Sequence, residues 1–376
     1  MSLTMKSNTM GVINVSSRDE FLKELTLHRC MASVPYGSRY RLVDFILSNM
    51  VNSGINNVAI FTLNKYRSLM DHLGSGKSWD LDRKKDGLFV LPPASHYPQG
   101  EYKGLLQILQ DHLDYFHQSK EKHVIISESN MVCNLNFNPA IEFHREKRAD
   151  ISVFYREENG VTPGLANRRR LETNQDGRIK EFELEPGSLE SRKALLKLFI
   201  INKSCLLDLI DQSIQNQRYS FLWDGIINNV DQLNIFGFPH QGYLAVVNSI
   251  DCYYLHSMDL LDPQIWQELF FQPGLIYTKV KDEPPTRYMK EGQVINSLLA
   301  NGCLVEGKVE NSILFRGVKV RRGAHIKDSI IMQKSLIEEN ARVSRAVIDK
   351  DVRVTQGRQI HGEENKPVVI AKKMVV

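Results

Sequence analysis

VEGKVENSILFRGVKVRRGAHIKDSIIMQKSLIEENARVSRAVIDKDVRV, Val305–Val354, has a periodicity that belongs to neither common secondary structure. Val309, Phe315, Val320, Ile326, Ile331, Ile337, Val343, Ile348 and Val354 recur every five or six residues. A helix would repeat its apolar face at about 3.6 residues and a strand at about 2. Gly307, Gly317 and Gly323, with small or polar residues, fill the intervals. This is the spacing of hexapeptide repeats, in which each hexad forms one side of a triangular parallel β-helix and its aliphatic residue points inward. A lone coil cannot bury its own apolar side, so stacked coils share one core. A series of ordinary hairpins is the competing reading, and nine positions in register weigh against it.

Upstream, strand-like and helix-like segments alternate. NNVAIFT (Asn56–Thr62) is a β-branched run followed by a helical KYRSLMDHL. GLLQILQDHLDYFHQS places Leu105, Leu106, Leu109, Leu113 and Phe116 on one helical face. In VIISESNMVCN (Val124–Asn134) three apolar residues suit a strand covered on both faces. A helix near AIEFHREK and strands at ADISVFY (Ala149–Tyr155), GRIKEFEL and LKLFIIN continue the pattern. Such alternation predicts a mostly parallel sheet flanked by helices, with ligands bound beyond the carboxyl ends of its strands. Pro263, Pro273, Pro284 and Pro285 then interrupt regular structure. The expected organisation is an α/β domain over 1–261, a connection over 262–290 and a β-helix over 291–376.

The totals narrow the functional classes. At 376 residues the chain can build two domains with real cores. A net charge of +4 is small for that length, and the densest basic run, Arg168-Arg169-Arg170, reads as a solvated loop, so no nucleic-acid partner is expected. Five scattered cysteines without CxxC spacing fit a reducing compartment and argue against a disulfide framework or structural zinc. The N-terminal stretch has no signal-peptide-like apolar segment, and no run of about eighteen apolar residues suggests a membrane span. A soluble, cytoplasmic protein is the expectation.

Specific motifs go further. VPYGSRYRLVDFILSNMVNSGINNVAIFT (Val34–Thr62), GSGKSWDLDR (Gly74–Arg83), GLFVLPP (Gly87–Pro93), DGRIKEFELEP (Asp176–Pro186) and VEGKVENSILFRGVKV (Val305–Val320) resemble ADP-glucose pyrophosphorylase, glucose-1-phosphate adenylyltransferase. The resemblance covers essentially the whole chain. It implies a Rossmann-like, GT-A-like nucleotidyltransferase domain with a mostly parallel mixed sheet, followed by a left-handed β-helix. The implied reaction joins ATP and glucose 1-phosphate into ADP-glucose and pyrophosphate with Mg²⁺, in bacterial glycogen synthesis. Such transfers rest on positioning and charge neutralisation. The chain should therefore carry a glycine-rich loop, cations at the phosphates and metal-holding carboxylates.

Each of these parts departs from the family pattern. Ser16, Ser17, Arg18 and Asp19 stand in place of the phosphate-loop glycines, and Phe21 in place of an arginine. Glycines matter there because backbone N–H groups must approach phosphate without a Cβ. Ser17 and Glu20 read instead as the capping box of a helix start. Met31 replaces a lysine, and Glu185 replaces the lysine of the glucose-phosphate motif, turning attraction into repulsion. Arg169 falls where a glycine lines the sugar pocket. Ser129 and Val246 stand where the resemblance implies the two metal aspartates. Glu128 lies one residue off register, so in an extended segment it faces the other way.

No catalytic residue and no metal or cofactor of its own is therefore expected, with Mg²⁺ left to a catalytic partner. Losses confined to the chemical parts resemble the regulatory, GlgD-type subunit, which pairs with a GlgC-type catalytic subunit in a heterotetramer. The resemblance also implies an effector site between the domains for a phosphorylated metabolite, with His28, Arg29 and Arg41 as candidate binders. Asp44, Ser48, Asn49, Trp79, Asp80 and Asp82 match the family pattern and read mostly as structural. A self-sufficient nucleotidyltransferase with a rearranged site is the alternative. An acyltransferase using His325, the histidine well inside the repeats, is a third reading that the N-terminal motifs disfavour.

Overall fold

The computed structural model describes residues 8–15, 19–93, 102–158, 160, 162–166, 168–185, 187–364 and 366–376, with side chains for all of these except 19–21. The N-terminal domain is built on a nine-stranded mixed sheet. Gly87–Leu91, Asn57–Phe61, Thr9–Asn14 and His123–Glu128 lie side by side in parallel. The long strand Lys193–Asn202 then runs antiparallel to His123–Glu128, carries Arg170–Thr173 farther along that same edge and pairs with Ile151–Glu157 along its other edge. Ile235–Pro239 adds to Ile151–Glu157 in parallel, and Ile179–Phe182 closes the end beside Arg170–Thr173. One core lies on each face. Ile13, Ile60, Ile125, Phe154 and Ile200 fill the first, and Met10, Val12, Phe61, Val124 and Ile201 fill the second. Both faces are covered, which is why these strands read as continuous apolar runs.

Helices stand at Arg67–Leu73 and Asn138–Glu146, as the sequence pattern predicts, and a further one at Leu42–Asn52. The amphipathic stretch after Gly104 differs: it forms two short helices, Leu105–Gln110 and Leu113–Gln118. The break falls at His112, whose ring nitrogen hydrogen-bonds the Pro92 carbonyl at 2.9 Å. Leu105, Leu106, Leu109 and Phe116 are nevertheless all buried on one side. Asp19–Thr26 forms 3₁₀ turns broken at Lys23 (φ 38°). The expected capping box at Ser17 lies outside the described residues. Within the connecting stretch, Asp262 caps a helix, Pro263–Phe271, by accepting a hydrogen bond from Gln264 N.

From Arg287 onward three five-stranded parallel sheets form the sides of a prism. Its coils repeat every 17 residues, through Val309, Ile326, Val343 and Ile360. Every rung is parallel, which excludes the hairpin reading. The inward positions are those the five-or-six spacing predicts, with one exception. Leu314 points into the prism with Ile331 and Ile348, whereas Phe315 packs outward against the N-terminal domain. The slip has a physical cause: this side of the prism is apolar on both surfaces, so two adjacent columns satisfy the pattern. The tight corners need left-handed backbone, taken by Asn296, Asn311 and Asp328 with φ of 42°, 44° and 46°. Their side chains form a ladder, Asn296 donating to Asn311 at 3.0 Å and Asn311 to Asp328 at 3.3 Å.

That doubly apolar side docks the two domains together. Its outward column, Leu298, Ile313, Ile330, Val347 and Val369, packs with Tyr253, Tyr254 and Phe270 of the N-terminal domain. Tyr254 Oη donates to the Asp328 carbonyl at 2.7 Å. Among the described residues no helix is long and apolar enough to cross a membrane.

Two outcomes are expected. Ile330→Ala should cost about 2–5 kcal/mol in denaturant melts, because it opens a cavity between the domains. Lys327→Ala, on an exposed side of the prism, should stay within about 0.5 kcal/mol. Acid should also loosen the fold. Burial holds His144 and His240 down from the ordinary 6.5 to about 4, so both are neutral when folded. The unfolded chain takes up these protons first as pH falls. Stability is therefore complete above about 6.5 and declines toward about 4, by up to roughly 1.4 kcal/mol per pH unit for each histidine. Melting curves across this range, with His144→Gln giving the shallower slope, test it.

Candidate functional site

At its carboxyl end the strand His123–Glu128 turns into a short strand, Met131–Val132, which pairs antiparallel with Ala245–Val246. Val247 N donates to the Asn130 carbonyl at 2.9 Å. This bridge brings the neighbourhoods of Ser129 and Val246 together, although they lie far apart in sequence. Ser129 is fully buried, and its Oγ has no hydrogen-bond partner among the described residues; the same holds for Asn130 Oδ1. Val246 is buried with Met131, Leu165 and Leu244.

The loop carrying Gly164 closes over Val246. A Cβ at Gly164 would lie 2.3 Å from the Val246 carbonyl oxygen, so only glycine allows the approach. Asn248 Nδ2 holds the Gly164 carbonyl at 2.9 Å, and His256 Nε2 holds that of Pro163 at 3.2 Å. A buried hydroxyl and an isopropyl group do not fit Mg²⁺, which takes carboxylate, phosphate and water oxygens. Among the described residues no three His, Cys, Asp or Glu side chains converge as metal ligands.

Glu128 is engaged elsewhere. Its Oε1 meets Lys197 Nζ at 2.7 Å across the antiparallel pair. Alternation along the strand puts Ser129 on the opposite face. Arg168 lies within reach of this carboxylate's field, and burial lowers its pKa while Glu128 opposes the shift. The neighbouring Arg169 donates to the carbonyls of Glu183 and Leu184 at 2.7 and 2.8 Å, and lies 4.1 Å from the centre of the Trp223 ring. Glu185 is exposed on a turn that Glu183 organises by accepting from Gly187 N at 2.7 Å. Met31 is buried among Leu22, Leu25, Phe45 and Val132. Ser16 and Ser17 lie outside the described residues, as do the side chains of Asp19 and Phe21.

A second charged region occupies the seam between the domains. The Arg29 guanidinium is buried against the Asp349 carboxylate of the β-helix. Arg41 Nη1 donates to the Ser68 carbonyl at 2.6 Å and its Oγ at 3.1 Å. His28 is exposed. Arg316, Gln333 and Lys350 occupy one column of successive coils and face this seam, joined by Lys281 from the connecting segment. Burial, reinforced by the mutual proximity of these cations, lowers Lys281 and pushes Lys350 down to about 6. Burial also brings Arg41 to about 10, against the opposing pull of Asp44.

The motif-matching residues around the seam hold the frame. Asp44 caps its helix at Arg41 N (3.0 Å) and accepts from His72 at 2.6 Å. Ser48 Oγ accepts from Tyr277 N at 2.9 Å, and Asn49 spans Cys133 O and Leu135 N. Trp79 packs edge-on to His72. Asp80 and Asp82 make local contacts with Arg83 and Ser75.

Comparison with known proteins fits this geometry. Residues 20–225 match the family described as nucleotidyl transferase, and residues 284–367 match the GlmU-like, C-terminal hexapeptide family. The chain is 40% identical to the glycogen biosynthesis protein GlgD of Bacillus subtilis, over 97% of this chain and 96% of that one. It is 39% identical to GlgD of Geobacillus stearothermophilus, over 85% of this chain and 83% of the relative. Against glucose-1-phosphate adenylyltransferase of Clostridium perfringens identity is 32%, spanning 100% of this chain and 95% of that enzyme. The chain belongs to the GlgD family.

Several functional candidates in this GlgD-family chain escape motif reading. Lys197 had a signal, since a lysine interrupts the apolar strand LLKLFII. Arg316, Gln333 and Lys350 had another: they are spaced by the 17-residue coil repeat, which places them in one column. That signal needs the coil length, which the five-or-six spacing leaves open.

The Arg29–Asp349 pair gives a direct test of the seam. Arg29→Ala leaves a fully buried carboxylate without its cation and should destabilise the GlgD-family fold by about 3–5 kcal/mol. Arg29→Ala combined with Asp349→Ala should recover part of that loss. Denaturant melts of both variants measure the difference.

Proposed function

We propose that this chain acts in glycogen biosynthesis as a non-catalytic or weakly catalytic regulatory subunit of glucose-1-phosphate adenylyltransferase. It works in the cytoplasm by activating or stabilising a homologous GlgC-type catalytic subunit within a heterotetramer. The observation that carries the reading is the juxtaposition of Ser129 and Val246, which puts a buried hydroxyl and an aliphatic group where the family resemblance implies metal carboxylates. Removing one transition-state stabiliser commonly costs about 10²–10³ in rate. Here both carboxylates and the cations at Met31 and Glu185 are replaced together, so the chain binds no catalytic Mg²⁺ and its partner supplies the metal chemistry.

Regulation is assigned to the seam. Arg41, Lys281, Arg316 and Lys350 form an anion site for a phosphorylated metabolite, while Arg29 is committed to Asp349. Desolvated cations that repel one another are stabilised by a bound anion. The site also touches both domains, so an anion there favours one arrangement of them.

ADP-glucose formation in mixtures with the GlgC-type subunit is the test. The chain alone, with Mg²⁺ and both substrates at high protein concentration, should give no turnover. Added to its partner, it should change the maximal rate or the response to phosphorylated metabolites, and the two should co-migrate in gel filtration. Turnover by the isolated chain would favour a self-sufficient transferase. Unchanged partner kinetics without co-migration would exclude the regulatory role.

A further inference from the structure

The imidazole of His256, on the helix Ile250–Met258, is buried with an oxygen in front of each ring nitrogen. Nδ1 lies 3.0 Å from the Asp259 carboxylate, and Nε2 lies 3.2 Å from the Pro163 carbonyl. A carboxylate and a carbonyl only accept hydrogen bonds. A neutral imidazole carries one N–H and satisfies one of them, so its bare nitrogen would face the other oxygen, lone pair against lone pair. Only the imidazolium, with a proton on each nitrogen, satisfies both. Two further titratable groups pack here, Tyr36 and Tyr243. Both phenols donate to the His256 carbonyl, at 2.6 and 3.4 Å, and Tyr243 also donates to Asp259 at 3.0 Å. Burial pushes both well above the usual phenol range, so they stay neutral. Asp259 is therefore the one charged group among these partners.

The ring holds the cover of the strand-end pocket. Pro163 precedes Gly164, which packs against the Val246 carbonyl. Two side chains from one segment fasten this turn, His256 at Pro163 and Asn248 at Gly164. We propose that His256 is a proton-operated latch, fastening the turn over Val246 when doubly protonated and releasing Pro163 when it loses a proton. On deprotonation the remaining N–H stays with Asp259, because a hydrogen bond to an ionised acceptor is the stronger. Nε2 is then bare, and its lone pair meets the carbonyl it held before. The sign follows from linkage. The fastened turn binds a proton that the released turn need not bind. Closure is therefore favoured at low pH and weakens as pH rises, by at most about tenfold per pH unit for one proton.

Amide hydrogen exchange of the full chain, followed by mass spectrometry from about pH 5.5 to 8.5 and corrected for the intrinsic pH dependence of exchange, tests the latch. The Leu165 N–H, bonded to the Thr162 carbonyl at 3.0 Å, reports on the turn, and the prism strand Ile330–Ile331 serves as reference. Protection of the turn should fall severalfold as pH rises while the reference stays constant. Two substitutions should abolish this dependence in opposite senses. In Asp259→Asn the new amide can donate to a neutral Nδ1 and leave Nε2–H on Pro163, so the turn stays protected throughout. His256→Ala leaves no donor for Pro163, so the turn stays weakly protected throughout. A turn in the unmodified chain whose protection ignores pH overturns the latch, whether or not either variant folds. So does a pH dependence that persists in Asp259→Asn.

Discussion

One side of the prism is a parallel sheet with aliphatic side chains on both surfaces, and the outer layer is buried against the N-terminal domain. Ile313, Ile330 and Val347 point outward from the β-helix yet are buried. Hydrophobic burial is non-directional, so by itself it would allow the prism to slide along its axis or turn about it. Directional contacts remove that freedom. Tyr254 reaches the Asp328 carbonyl, Arg29 reaches Asp349, and Phe315 and Met332 fill the corner between them. The apolar column supplies the attraction and the polar contacts select the register.

The same docking creates the electrostatic problem at the seam. Folding brings Arg29 and Arg41 of the first domain near Arg316 and Lys350 of the second, with Asp44, Asp71, Glu283 and Asp349 in the same neighbourhood. Desolvation penalises each charge and proximity penalises the set. A fold that carries such a cost draws its stability from elsewhere, here from the buried apolar column. Groups held under unfavourable conditions near neutral pH are also those whose state a ligand changes most easily. The seam thus sets a buried apolar column beside a cluster of desolvated charges.

How much of this was legible depended on what each feature is made of. The β-helix could be read because an inward column must be apolar at every coil, and the parallel core because both its faces are covered. Phe315 was misplaced by one residue because the docked side satisfies the apolar pattern in two adjacent columns at once. The single amphipathic helix after Gly104 proved to be two, since the His112 contact that breaks it is tertiary and leaves no trace in periodicity. Ser129 and Val246 could be singled out only against a family pattern. Their juxtaposition came from strand pairing. The Glu128–Lys197 pair and the Lys350 cluster are contacts between segments remote in sequence, and individual charges carry no mark of what they will face.

Val246 and Met31 are set by packing as much as by chemistry. Val246 completes the core around Met131 and Leu165, and Met31 belongs to the cluster that docks the β-helix. An ionised carboxylate at position 246, enclosed by the Gly164 loop, would need a cation in place to be tolerated at all. A lysine at position 31 would have to be desolvated inside the apolar layer that holds the domains together. Positions 31 and 246 are therefore bound by the stability of their surroundings. A charged side chain placed alone at either position would cost folding energy.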